Sequence, residues 1–522
     1  MRTRAPALSR NALWIAFAVA ALTILAYIPA LDAPFVLDDW VTIDAASRWE
    51  TTAGMPTAGR PIVMSSLNAN YQLNRALRVD QRPDPEGPRK MIGYRAFNIL
   101  LHLLTGALLF AVLLRGMRET VIPVDWSAIA EPLAGVVTAL WLLHPIQSEV
   151  IDYVVQRNEG LATLFYLAIL YASQRAWAAP ASRWLWYTAA AVACVLGMMS
   201  KEIVFTAPLL VMLYDRAFRL HSWKALLKPG HGRGWLYVVL WVIAIGTFTA
   251  MQIGARGDTS LLGVTMTPIA YLYTQCWAIA HYLQLTLWPS GLTLDYGFRP
   301  IHDARGVPGF ILLAAMGAGT VYAWTRVARL GWLAFLGSMF FIVLAPSSSF
   351  VPQALEIAAE RRTYLAVVPV LILLTVGVEW LRRKYAPRVS PQWLVAPIAI
   401  ALAVTTAARS YAYNDPVGLW RSATRTVPEN SRAFEQLGLA LFTSEPPQLP
   451  AAESAFVRAL AMDTSCQSGC LQYAALLSRE ERYAEAIPLL ERQAGAIGSP
   501  TYNFMATRLL ALALMKEGHY EL

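Results

Sequence analysis

Charge is what this sequence has little of. Only 15% of its residues are Asp, Glu, Lys or Arg, where a soluble domain carries about 25%, and so little charge excludes an ordinary soluble globular chain. Cysteine and histidine are scarce as well, four and seven in 522 residues, and no zinc-ligand spacing is formed from them. Acids are nearly missing from the short loops in which the bases gather. The net charge of +9 therefore does not describe one basic face for nucleic acid, and no nucleic-acid partner is expected.

What fills the sequence instead is hydrocarbon: 56% hydrophobic residues and a mean hydropathy of +0.43. Apolar segments near the ~20 residues needed to cross a bilayer recur at about 12–31, 97–114, 127–143, 160–174, 184–199, 203–218, 234–253, 268–288, 308–325, 330–346, 364–380 and 391–408. The chain reads as a polytopic all-α membrane protein. Arg2, Arg4 and Arg10 precede the first segment, and Arg115/Arg118, Arg175/Arg183, Arg216/Arg219/Lys224/Lys228/Arg233, Arg326/Arg329 and Arg382/Arg383/Lys384/Arg388 sit between later ones. By the positive-inside rule these are cytoplasmic, which puts the loop 32–96 outside.

Strict alternation then fails at 268–288, which carries Gln275, His281 and Gln284. A re-entrant or interfacial segment there restores it, giving about eleven crossings and an outer C-terminal region. A cleaved signal peptide is the alternative for the first run, but that run is long, lacks a small-x-small site and is followed by many more.

From about Tyr411 the pattern becomes amphipathic. "RAFEQLGLALF", "CLQYAALLSREERYAEAIPLLERQ" and "ATRLLALALMKEGHYEL" align at an offset close to the ~34 residues of a tetratricopeptide repeat, with Gly438, Ala474 and Ala511 where paired helices touch and Tyr483 over Tyr520. Two domains are expected, 1–410 in the membrane and 411–522 as a repeat array; a plain helical hairpin domain is the alternative. Cys194 and Cys276 read as apolar core residues, and a Cys466–Cys470 disulfide is permitted outside.

Polar residues at the ends of spans are costly and tend to mark function. Here they fall on the outer side: Asp38 and Asp39; His102; His144, Glu149, Arg157 and Glu159; Lys201 and Glu202; Asp295; Glu356, Glu360, Arg361 and Arg362. Each has a structural alternative. The two aspartates could cap a short helix, Lys201 and Arg361 could anchor at headgroup level, His102 and His144 could be structural hydrogen-bonders, and Glu360/Arg361 a solvated helix end. The convergence of acids and cations on one side weighs for a site.

In order along the chain, "FVLDDW", "GRPIVMSSLNANYQLN", "GYRAFNILLH", "HPIQSEVIDYVVQRNEGLATLFY", "MSKEIVFTAPLLVMLYD", "YLQLTLWPSGLTLDY" and "AERRTYLA" resemble the motifs of the transmembrane and tetratricopeptide-repeat-containing proteins, protein O-mannosyltransferases of the GT-C superfamily. The resemblance covers about residues 10–410 and continues into the repeats. Arg95 and Gln147 depart from it, standing where the family commonly has histidine.

The resemblance implies a GT-C-like bundle and inverting transfer of mannose or another hexose from a polyprenyl-phosphate donor to a hydroxyl on the outer face. Asp38, matching the first acid of the family's pair, is the expected base, because a carboxylate can take the proton of a Ser/Thr hydroxyl as it attacks. Asp39 is its catalytic neighbour. Lys201, Arg361 and Arg157, with His102 and Glu360, are expected at the lipid phosphate, where fixed cations favour the departing anion. His144, Glu149, Glu159, Glu202 and Asp295 are left to orient the acceptor, the sugar or a divalent cation, Mg or Mn. The expected partners are the lipid-linked sugar, an exported protein held by the repeats, and the bilayer, in a bacterial inner membrane with the site facing the periplasm. Transfer to a lipid or glycan, and a non-catalytic repeat scaffold, stay open beside it.

Overall fold

The computed structural model describes residues 10–39, 42–43, 60–79, 92–119, 129–224, 233–254, 266–349, 352, 356–463, 469–494 and 500–518. Arg2, Arg4, Lys228, Cys466, Tyr520 and much of the first long loop lie outside them. Every regular element among the described residues is helical.

Among the described residues seven helices are long and apolar enough to cross a membrane: Ala12–Ala30, Ile92–Arg118, Arg233–Met251, Gly306–Thr325, Val327–Leu344, Glu360–Tyr385 and Trp393–Ala412. A bent pair, Ala130–Leu143 with Pro145–Asp152, makes an eighth if counted as one span. That is fewer than the eleven crossings expected from composition, and the reason is in the other helices. α7 (Arg183–Met198) has 16 residues and α8 (Ala207–Asp215) only nine, short of the ~20 a hydrocarbon layer requires. α6 (Arg157–Ala178) is long enough but opens on Arg157, Asn158 and Glu159 and buries Ser173 and Gln174. α10 (Pro268–Leu287), which carries Gln275, His281 and Gln284, is also outside the seven.

The apolar faces of α1 (Arg10–Tyr27) stay exposed at Leu13, Trp14, Ile15 and Phe17, as lipid-facing surface should. α3 (Ile92–Glu119), α4 (Ala130–Leu143), α6 and α13 (Thr363–Tyr385) enclose the main core. His102 lies at its heart: one ring nitrogen meets the Tyr364 hydroxyl at 2.7 Å, the other the Leu142 carbonyl at 3.0 Å, and Trp141 is tilted against it. Where Pro145 interrupts the chain after α4, the axis bends by 55°. His144 caps the break, its Nδ1 accepting from the Ile146 amide (3.2 Å) and Nε2 reaching the Thr286 carbonyl (3.0 Å).

α14 (Gln392–Ala412) is followed at once by α15 (Pro416–Thr426) and α16 (Ser431–Phe442), then by α17 (Leu449–Met462), α18 (Gly469–Arg479), α19 (Tyr483–Ala494) and α20 (Pro500–Lys516). α17 and α19 start about one 34-residue period apart. Gly438 is required by packing, since a Cβ there would come within 2.7 Å of the Phe456 ring. Ala474 is fully buried, but Ala511 is exposed, and Ala506 and Ala513 make the close contacts in the third copy instead. Cys470 is disulfide-bonded, while Cys194 and Cys276 are free and buried.

The repeat helices do not hang from the bundle. Val36 of the first loop, Tyr153, Leu294, Tyr413, Trp420 and Phe456 belong to one hydrophobic core shared by both parts.

Candidate functional site

Loop Ala33–Asp39, the turns at 144–157 and 200–206, and segments 288–300 and 356–362 meet at one end of the bundle. Arg118, Arg329 and Arg382 stand at the other ends of helices that start or finish here. At that far end the bases are not alone: Arg118 pairs with Glu131 (3.3 Å), Arg219 with Asp215 (3.4 Å) and Arg382 with Glu379 (2.7 Å).

The first loop is fixed by Arg95. Its guanidinium is wholly buried and donates to the backbone carbonyls of Asp152 (2.8 Å), Ala33 and Pro34 (2.9 Å), a use of the planar fork that a histidine could not duplicate. Leu37 then takes a left-handed φ of 46°, a costly conformation for a residue with a branched side chain, and this turns the two aspartates apart. Asp39 goes in. Its Oδ1 accepts from the Val155 amide (2.8 Å) and its Oδ2 from Val36 (3.3 Å) and Val154 (3.4 Å). Burial raises its pKa to about 7, with those amides and Arg95 pulling the other way. Its carboxylate is a strut between loop and turn.

Asp38 goes out. It is exposed, its amide donates to the Tyr153 hydroxyl (3.2 Å), and it is raised above the usual aspartate range by desolvation and by Glu356, against the pull of Arg432 and Arg361. It is an accessible carboxylate beside the charges of Glu356, Arg361 and Arg432.

Arg361 is the centre of that charge cluster. It is gripped by Glu149, through both its amide (2.8 Å) and its guanidinium, and by Glu356 on the other arm. Behind it Arg362 donates to the carbonyls of Glu356 (2.8 Å) and Ile357 (3.2 Å). Glu356 has its pKa lowered: burial would raise it, but Arg361 and Arg432 outweigh that. Lys201 is paired with Glu159 and Glu202 with Arg60 (3.3 Å); burial lowers the Lys201 pKa, and Arg60 and Arg361 add to that.

Asp295 and Glu360 hold the walls. Asp295 takes a two-pronged grip from Arg432 of α16, at 2.5 and 2.7 Å, and accepts from the Gly297 amide (2.8 Å). Burial alone would raise its pKa; Arg432 brings it below the usual value. Glu360 Oε1 accepts from the Thr293 amide (2.6 Å) and the Tyr296 hydroxyl (3.0 Å), while its Oε2 has no hydrogen-bond partner. Arg409 Nε and Nη2, both amide atoms of Gln147 and the Ser148 hydroxyl are buried without partners too. Such orphaned groups are usually met by water or a ligand.

Of the residues expected from sequence, Asp38, Glu149 and Arg361 come together, with Lys201, Glu159 and Glu202 beside them and Asp295 and Glu360 in the wall. Arg157 does not join them. It is enclosed, donating to Ser66 O (3.3 Å), Asn70 Oδ1 (3.1 Å) and Tyr94 O (3.2 Å) and stacked on Phe97, so it ties α2 (Pro61–Ala76) to α3. His102 and His144 have both ring nitrogens engaged and do not reach the cluster. Glu149, Glu159, Glu202, Asp295 and Glu356 are each paired with an arginine or a lysine, and among the described residues no group of three His, Cys, Asp or Glu is arranged for a metal.

Three participants escape sequence reasoning: Arg432, Arg60 and Tyr153. Arg432 lies 137 positions from Asp295 and looks like an ordinary exposed base on a repeat helix.

The fold and this site define a polytopic helical membrane protein whose charge cluster, at one end of the bundle, is held by Arg432 of a C-terminal helix. No family model matches the chain. It is similar to the protein O-mannosyl-transferase Tmtc3 of Drosophila melanogaster, 23% identical over 452 residues, covering 73% of this chain and 46% of that protein. It is also similar to the protein O-mannosyl-transferase Tmtc2 of the same organism, 25% identical over 306 residues, covering 53% of this chain and 30% of that protein. The resemblance carried by the ordered motifs is thereby borne out. The chain spans about half the length of the first of these relatives and under a third of the second.

Proposed function

We propose that this protein is a membrane glycosyltransferase that moves a hexose, mannose in the nearest reading, from a polyprenyl-phosphate donor to a Ser or Thr hydroxyl of an exported protein, with inversion, on the outer face of a bacterial inner membrane. The observation that carries the proposal is the division of the aspartate pair: Asp39 is consumed by the fold, while Asp38 is exposed, carries a raised pKa and faces the Arg361–Glu356–Arg432 cluster. A carboxylate of raised pKa is a stronger base than a free one.

In the reaction the hydroxyl oxygen attacks the anomeric carbon as Asp38 takes its proton. The bond from that carbon to the phosphate oxygen breaks on the opposite face, and the electron pair leaves with the lipid phosphate. Arg361, oriented by Glu149 and Glu356, and Lys201 meet the charge gained by the leaving group, so they lower the barrier more than they tighten the ground state. The Arg432–Asp295 grip supports a protein acceptor over a lipid or glycan, because it fixes the repeat helices against the cluster where a bound polypeptide would be presented.

The test is mass spectrometry of exported proteins from cells with the wild-type gene, its deletion and Asp38→Asn. Hexose on Ser/Thr peptides should disappear in both altered strains. Unchanged glycopeptides in both refute the proposal, and loss in the deletion alone favours a non-catalytic scaffold.

A further inference from the structure

Far from the charge cluster, the bundle contains an apolar cavity of about 500 Å³ between α3, α6, α12 (Val327–Leu344) and α13. Leu113, Leu170, Phe335, Met339 and Ile372 are among its walls, and Trp380 lies at one end. Trp380 is about 30 Å along the Glu360–Tyr385 span from its Glu360 end at 1.5 Å per residue. That distance is the thickness of a bilayer's hydrocarbon core. The cavity runs from Val368, about 12 Å along that span, to Trp380, so it reaches the face opposite the candidate site.

The cavity is open on one side, and water is disfavoured where no polar partner meets it. An apolar hollow of this size at membrane depth is suited to hydrocarbon. Two glycines lie in its lining. Gly116 and Gly377 lie inside α3 and α13, where glycine weakens a helix relative to alanine. Neither is forced by crowding: a Cβ at Gly116 would meet nothing nearer than 3.5 Å, and one at Gly377 nothing within 4 Å. What a side chain at either position would occupy is the cavity itself.

The rim specifies the rest of the occupant. Arg329 is the one charged residue in the lining among the described residues. It and Arg326 are exposed, and neither enters an ion pair among the described residues. Trp332 and Trp380 complete that end, with Lys384 Nζ 5.0 Å from the Trp380 ring, the mixture of tryptophan and base found at headgroup level.

We propose that this cavity holds an acyl chain of an anionic membrane phospholipid, its headgroup phosphate met by Arg329, on the membrane face opposite the candidate site. The lipid is a bound structural partner, distinct from any sugar donor.

The test is native mass spectrometry of the full chain in mild-detergent micelles, titrated with phosphatidylglycerol or with phosphatidylcholine. Wild type should retain phosphatidylglycerol in preference to phosphatidylcholine. Gly377→Phe should reduce the retained lipid by about tenfold or more, because the ring replaces the buried chain. Arg329→Gln, a change at an exposed position, should abolish the preference between headgroups while leaving some lipid bound. Equal retention by wild type and Gly377→Phe overturns the proposal, as does equal retention of the two phospholipids by wild type, or retention of a polyprenyl phosphate in their place. If Gly377→Phe does not give a monodisperse protein, Gly116→Leu fills the hollow from the opposite wall and is read in the same way.

Discussion

Glu149 holds Arg361 from both ends, accepting the backbone amide on one carboxylate oxygen and the guanidinium on the other. A side chain pinned at its root and its tip has little freedom left, which is what a cation aimed at a developing charge requires. Glu149→Gln keeps the shape and weakens the grip. Transfer from polyprenyl-phosphate hexose to an acceptor peptide should fall by up to about 10²-fold, mainly in kcat, since small misplacements of positioned groups cost that much. Arg361→Lys should not restore what Arg361→Ala loses, because an ammonium cannot serve Glu149 and Glu356 together.

Asp38→Asn should abolish measurable transfer, a loss of about 10²–10⁴-fold for a general base, without shifting the melting temperature of the purified protein. A base must be ionised to act, so the rate should fall as pH drops through its pKa. Burial and Glu356 raise that pKa, so the acid limb of the pH–rate profile should lie above the range of a free aspartate. A limb at the ordinary value would remove Asp38 from the role.

Asp39 should behave in the opposite way. Its folded pKa of about 7 lies above the unfolded value of 3.8. Its contribution to stability is thus fully present below pH 3.8 and is lost as pH rises through about 7. Thermal unfolding from pH 4 to 8 should show wild type losing stability relative to Asp39→Asn across that window. Parallel curves would mean that the charge on Asp39 is not what the fold resists.

Arg432→Ala leaves Asp295 buried without its partner, a change that typically costs about 3–5 kcal/mol. Limited proteolysis should then release the repeat region faster. The double variant Arg432→Ala/Asp295→Ala should be less damaged than the sum of the two single changes, which a double-mutant cycle reads directly.

Gly438→Leu should loosen the first repeat by about 1–3 kcal/mol, because Phe456 already occupies the space of a Cβ. Gly438→Ala should do the same to a smaller degree, and circular dichroism melting of the full chain would report both.

Much of this was legible in the sequence for physical reasons. Apolar runs must be helical in a membrane, and Pro145 announced the break that His144 caps. The acids and bases of the segments carrying Asp38, Glu149, Lys201 and Arg361 stand out in the sequence because charge at the end of an apolar span is costly. What stayed hidden depends on distance in the chain. Nothing local distinguishes Asp38 from Asp39; only the left-handed Leu37 and the amides of 154 and 155 decide which one turns inward. Arg157 has the right charge in the right motif, yet Phe97 and three acceptors enclose it. The crossing count read from composition exceeds the seven long apolar helices among the described residues because α7 and α8 are apolar but short.

The core shared by Val36, Tyr153 and Trp420 means that the repeat region is not a detachable tail. Cutting the chain before Pro416 would strip the packing from the loop that presents Asp38. An inactive truncation would then say nothing about whether the repeats bind an acceptor, and the two parts should be inherited, exchanged and engineered only as a unit.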